Sequence, residues 1–129
     1  IKYENIGSLS STAYDANGSV HGGMGIDWGD YNNDGKIDLA VGTFTREAKC
    51  VYRNDGDAAF TEVSGLLGIN TPTPLVTFGT KWLDFDNDGR LDLALANGHV
   101  QDNIHQIDST SEYRQPLTLL RNNDATFED

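Results

Sequence analysis

The sequence is short of several things, and each shortage excludes something. There is one cysteine, Cys50, so no internal disulfide can brace the fold, and a small buried hydrophobe in a strand is its expected role. Lys and Arg together number 9 against 20 Asp and Glu, a formal net charge of −11. A polyphosphate partner needs cationic neutralisation, so nucleic acid is excluded and an anionic membrane surface is disfavoured. No apolar run approaches the ~18 residues of a membrane-spanning helix, which rules out membrane insertion of that kind. Hydrophobic residues make up only 37% of the chain. No apolar stripe of helical period runs for any useful length, so a helix-pair solenoid is poorly supported. The chain opens at Ile1 with no initiator Met and no basic-then-apolar leader, and reads as a mature or excised segment.

What is abundant is aspartate and turn residues. Fifteen of the acids are Asp and five are Glu, and 14 glycines punctuate the chain. Short apolar runs between Asn, Asp, Gly and Ser clusters favour an all-β protein.

The chain also repeats itself. Met24 to Val41 aligns without gaps on Phe78 to Leu95, at an offset of 54 residues. Val51-Tyr52-Arg53-Asn54 matches Leu119-Leu120-Arg121-Asn122 at an offset of 68, so the second copy carries 14 extra residues within Gly98 to Pro116. Tyr3-Glu4-Asn5-Ile6 matches Phe60-Thr61-Glu62-Val63, and Phe127-Glu128-Asp129 begins the same element again. Each repeat predicts four short strands: Gly25–Trp28, Ile37–Val41, Cys50–Arg53 and Phe60–Val63, then Gly79–Trp82, Leu91–Ala96, Leu117–Arg121 and a strand begun at Phe127. Four antiparallel strands per repeat of this size predict an all-β fold of two blades of a β-propeller. The divisions are an outer strand and loop of a preceding or partner blade over 1–20, blade one over 21–70, and blade two over 71–129 with its inserted loop at 98–116.

Between the first two strands of each blade lies a loop with a cation-binding pattern. Asp30, Asn32, Asp34, Gly35 and Asp38 recur as Asp84, Asp86, Asp88, Gly89 and Asp92. Alternate side-chain oxygens face the inside of such a loop, the glycine permits its reversal, and Lys36 or Arg90 supplies a backbone carbonyl with its charged side chain toward water. All donors are hard oxygens, which selects Ca²⁺ over Zn²⁺ or Cu²⁺. The position of the bidentate EF-hand glutamate holds Val41 or Leu95, so this is not a helix–loop–helix sensor. The ten candidate ligands are therefore Asp30, Asn32, Asp34, Lys36 and Asp38, with Asp84, Asp86, Asp88, Arg90 and Asp92, and the cofactor is Ca²⁺ at two sites.

These residues resemble the FG-GAP/VCBS repeat. Phe78-Gly79 precedes the Asp-rich loop, the apolar strand follows, then Leu120-Arg121-Asn122 and Phe127. Gly23 to Gly35 and Asn97-Gly98-His99-Val100 are similar to phrases of bacterial propellers related to cartilage acidic protein, often joined to an ASPIC/UnbV domain. Met24 departs from the Phe of the first FG pair. The resemblance implies a calcium-bound propeller of the kind found in integrin α chains, lectins and secreted bacterial proteins, with the loop residues above as ligands.

The expected function is a non-catalytic calcium-binding module for adhesion, for protein or glycan binding, or for self-assembly. It would be secreted, periplasmic or on the cell surface, since cytosolic calcium is too low to fill sites of the usual extracellular affinity. Rival readings are a calcium-dependent lectin, the propeller scaffold of a secreted enzyme, and a subunit that donates its first strand to another copy in a ring or fibre. Trp28 and Trp82 occupy one repeat position and are both expected in the core. Tyr31 and Phe85 should point into neighbouring blades. His99 and His105 are expected in a solvated loop with Asp102, Asp108 and Glu112. Asn17-Gly18-Ser19 fits a glycosylation sequon.

Overall fold

A computed structural model describes all 129 residues as an all-β chain of two four-stranded antiparallel sheets. The first sheet runs β1 (Gly23–Gly29), β2 (Asp38–Thr43), β3 (Cys50–Gly56) and β4 (Ala59–Glu62), paired in chain order. The second repeats it with β5 (Thr77–Leu83), β6 (Asp92–Asn97), β7 (Thr118–Asn122) and β8 (Phe127–Glu128). The one helical element is a 3₁₀ turn at Ile104–Gln106. No helix is long and apolar enough to cross a membrane.

The repeat extends to irregularities. The β1–β2 register shifts between Gly23 and Gly25, and the β5–β6 register shifts between Thr77 and Gly79. In each sheet the second strand is the most buried. Leu39 pairs with Tyr52, and Leu93 with Leu120, at matching positions.

The sheets pack face to face. Tyr31, Ala40, Val51, Val63, Leu67 and Ile69 of the first half share one core cluster with Trp82, Leu93, Leu95, Leu120 and Phe127 of the second. Close approach at the inner strands rests on Gly25: a Cβ there would lie 2.5 Å from the Phe78 carbonyl oxygen. Lys49 is only 6% exposed, and its ammonium bonds the carbonyls of Thr43 (3.3 Å) and Leu75 (3.0 Å). It thereby pins the connector between the sheets to β2, and burial pulls its pKa down to about 8. Cys50 is buried on the opposite face of the first sheet with Leu39 and Tyr52, and burial pushes its thiol up to about 11.

Four expectations change. Residues 1–6 form no strand and are exposed, because a strand needs a ladder neighbour and none of the eight strands takes them. Gly7 to Val20 runs in turns and bends, and the Ser10 carbonyl accepts the Phe60 N–H at 3.0 Å, which attaches this stretch to the first sheet. Trp82 is core at 4% exposure, but Trp28 is 54% exposed. Trp82 lies against the first sheet, stacked on Tyr31 at 5.9 Å and 12°, whereas Trp28 faces outward with only an edge contact to Phe60. Tyr31 thus reaches into the adjacent sheet as expected, and its counterpart Phe85 is 41% exposed.

The inserted segment 98–116 is the fourth. Asp102, His105 and Glu112 are exposed as expected, but His99 is not, and the segment is anchored to the sheets. Gly98 bridges to Arg114, His99 is 6% exposed against Phe44, and the Gln115 carboxamide accepts the Val76 N–H at 2.8 Å. Arg46 reaches Asp108 at 2.6 Å, so the insertion is tied back to the first sheet. The hydroxyl of Thr110, then the Arg46 guanidinium and the Thr110 amide, hold the Asp108 carboxyl down at about 2. Such a group contributes stability that is present above its unfolded value of 3.8 and lost as pH falls through about 2. Carboxyl NMR titration is expected to place Asp108 near 2, and Thr110→Val should move it upward. An Asp108 that titrates near 3.8 in the intact protein would show that this tether does not form.

Candidate cation-binding loops

The two Asp-rich loops fold alike because their side chains cap their own backbones. In the first, Asp30 accepts the N–H groups of Asp34 (3.0 Å) and Gly35 (2.8 Å). In the second, Asp84 accepts those of Asp88 (3.0 Å) and Gly89 (2.9 Å). Asp34 then accepts the Lys36 N–H, and Asp88 the Arg90 N–H, both at 2.9 Å. The turn needs left-handed residues at matched places: Asn33 at φ 58° with Gly35 at 82°, and Asn87 at 59° with Gly89 at 85°. Tight carboxylate-capped turns are what this residue order builds with or without an ion.

Asp38 and Asp92 are fully buried at the start of the second strands. Asp38 accepts Tyr31 N–H at 3.2 Å and Asn54 N–H at 2.8 Å, one on each oxygen. Asp92 does the same with Phe85 (3.1 Å) and Asn122 (2.8 Å). Each carboxylate therefore splices its loop to the third strand of its sheet. Burial pushes the Asp38 carboxyl above the usual range, against the pull of the two amides.

The loops differ at the third position. In the first, the Asn32 oxygen accepts the Asp34 N–H at 3.0 Å, so it is turned onto its own backbone. In the second, Asp86 has one oxygen that is buried and has no hydrogen-bond partner. Carboxylate oxygens of Asp84, Asp86 and Asp88 lie within 4.8 Å of one another, and this is the only group of three or more potential metal-binding His, Cys, Asp or Glu side chains in the chain. His99 and His105 accordingly form no second cluster with Asp102, Asp108 and Glu112. An orphaned carboxylate oxygen among hard oxygens fits a hard divalent cation.

The basic residues beside the loops do not simply face water. Lys36 bonds Asp34 at 2.9 Å and thereby lowers the pKa of that carboxyl. Arg90 pairs with Asp88 and also donates to the Asn122 carbonyl at 2.9 Å. Arg121 pairs with Asp86 at 2.8 Å and lies 3.7 Å from Asp88. Sequence reasoning assigned no role to Arg121 or Asn122, although the recurrence of Arg53-Asn54 as Arg121-Asn122 was a signal. In the first sheet Arg53 turns instead to Asp55 at 2.8 Å.

Among curated proteins none matches this sequence. The FG-GAP-like repeat family matches residues 30–95, from the first residue of the first loop through the second loop and into β6. That span covers half of the chain and contains both loops, the strands between them and the packing of one sheet on the next. The chain belongs to the FG-GAP-like repeat family.

Proposed function

We propose that this chain is a calcium-stiffened β-propeller module that works by binding, without turnover of its own, outside the cytoplasm. The observation that carries the calcium reading is the second loop. Three carboxylates converge there, and one oxygen of Asp86 is buried without a partner. Asp84, Asp86, Asp88 and Asp92 with the Arg90 carbonyl would hold the ion, and the first loop would offer Asp30, Asn32, Asp34, Asp38 and the Lys36 carbonyl. Bound calcium supplies charge neutralisation for carboxylates that otherwise rely on Arg90, Arg121 and Lys36. The first loop brings one carboxylate fewer and a self-bonded amide, so it is the weaker of the two.

The role of the ion is structural. Both loops precede a fully buried aspartate that joins the inner strands to the third strand, so ordering a loop stiffens its sheet. A rigid pair of sheets is a platform for a protein or glycan partner, and extracellular calcium modules of millimolar or submillimolar affinity suit a secreted, periplasmic or surface setting.

Titration calorimetry on chelator-treated protein tests this. Millimolar Ca²⁺ is expected to give saturable binding and a raised melting temperature. At free calcium ten times the dissociation constant, each site contributes about 1.4 kcal/mol. Asp88→Asn should remove the tighter site. Absence of heat together with an unchanged melting temperature would overturn the calcium reading.

A further inference from the structure

The two loops touch. Asn122, at the end of β7, is 2% exposed and bonds both of them. Its backbone N–H donates to Asp92 (2.8 Å), and its carboxamide donates to the Leu91 carbonyl (3.0 Å) beside the second loop. The same carboxamide nitrogen donates across to the Tyr31 carbonyl in the first loop (2.9 Å). Tyr31 in turn donates its N–H to Asp38. Asn33 makes a second crossing, from its carboxamide to the Gly89 carbonyl at 3.4 Å. The Tyr31 ring stacks on Trp82, two residues before Asp84. The repeat supplies an internal comparison. Asn54 stands where Asn122 does and bonds only within its own sheet, to Asp38 and the Ile37 carbonyl.

We infer that the two loops bind their cations cooperatively and that Asn122 is the positioning residue that couples them, an inference resting on the calcium reading above. The Tyr31 carbonyl already holds the Asn122 carboxamide, and a cation in the first loop restrains Tyr31 further through Asp38. Asn122 in turn bonds Asp92 and the Leu91 carbonyl, so the restraint reaches the second loop and part of the stiffening that its own ion would impose is already in place. Linkage makes the effect reciprocal: the second ion strengthens the first by the same factor. Asn54 has no such crossing, so it organises its own loop alone.

Calorimetry with Ca²⁺ on the full chain tests the inference, with one loop weakened by Asp34→Asn or the other by Asp88→Asn. Weakening the first loop is expected to lower the affinity of the second by roughly five-fold or more, and the reverse experiment should give the same factor. In Asn122→Ala that factor should fall to near one, while Asn54→Ala should leave it intact. Asn33→Gly suits the left-handed backbone and removes the second crossing, so it lowers the factor even if Asn122→Ala fails to fold. Two saturable but independent sites in the unsubstituted chain would overturn the coupling and leave the calcium reading standing. A factor that survives both Asn122→Ala and Asn33→Gly would remove the assignment to these residues. No calcium heat in any variant is a different failure, that of the calcium reading itself.

Discussion

Trp82→Ala is expected to cost about 3–5 kcal/mol of unfolding free energy, whereas Trp28→Ala should cost about 0.5–1.5 kcal/mol. The two residues sit at one position of the repeat, so propensity, strand register and neighbouring sequence are nearly matched. What differs is the neighbour. Trp82 is 4% exposed and touches Tyr31 and Phe127 at ring separations of 5.9 Å each, so truncation opens a cavity between the sheets. Trp28 is 54% exposed and meets Phe60 edge-on at 6.5 Å, so truncation opens no cavity. With typical total stabilities of about 5–15 kcal/mol, the first change consumes a large part and the second little. Urea unfolding of both variants, with unchanged slopes, is the measurement. Equal costs would mean that the first sheet's outer face is covered in solution.

Asp92→Ala is the second large effect, and its value is that it separates two roles. The carboxylate is fully buried and satisfies the Phe85 and Asn122 amides. Leaving the buried Asn122 donor unpaired costs about 1–3 kcal/mol and the part-buried Phe85 donor adds less, so a loss of about 2–4 kcal/mol is expected. Most of that loss should persist in excess chelator, because the amide bonds need no ion. Asp88→Ala removes an exposed carboxylate that pairs with Arg90 and Arg121, and it should matter in calcium but little in chelator. Thermal melts of both variants with and without calcium make the comparison. An Asp92→Ala deficit that vanishes in chelator would show that the splice to β7 contributes nothing of its own.

Much of this was legible beforehand because it is local. The order and approximate positions of the strands, the loops and the glycine of each turn follow from apolar runs broken by Asn, Asp and Gly, and the 54-residue offset lets each repeat check the other. The loop side chains reach only a few residues along the chain, from Asp30 to Gly35 or Asp84 to Gly89. The insertion is mostly exposed, as its polar sequence suggests, but its attachment was not legible. Its anchors, Arg46 to Asp108 and Val76 to Gln115, lie 62 and 39 residues apart and leave no local pattern. Likewise Arg121 and Asn122 act on residues 35 and 91 positions away.

By itself the amino-acid sequence determined the all-β class, the two repeats, the acid-rich loops and the −11 charge. These are properties of composition and short spacing, which the chain carries whatever it packs against. Only the tertiary structure decided which of two equivalent tryptophans is core, which oxygens of the aspartates are occupied by backbone amides, and that one asparagine bonds both loops. The reason is physical: a repeat presents the same side chains twice, but burial and hydrogen bonding depend on the surface opposite. Only one face of each sheet here meets the other.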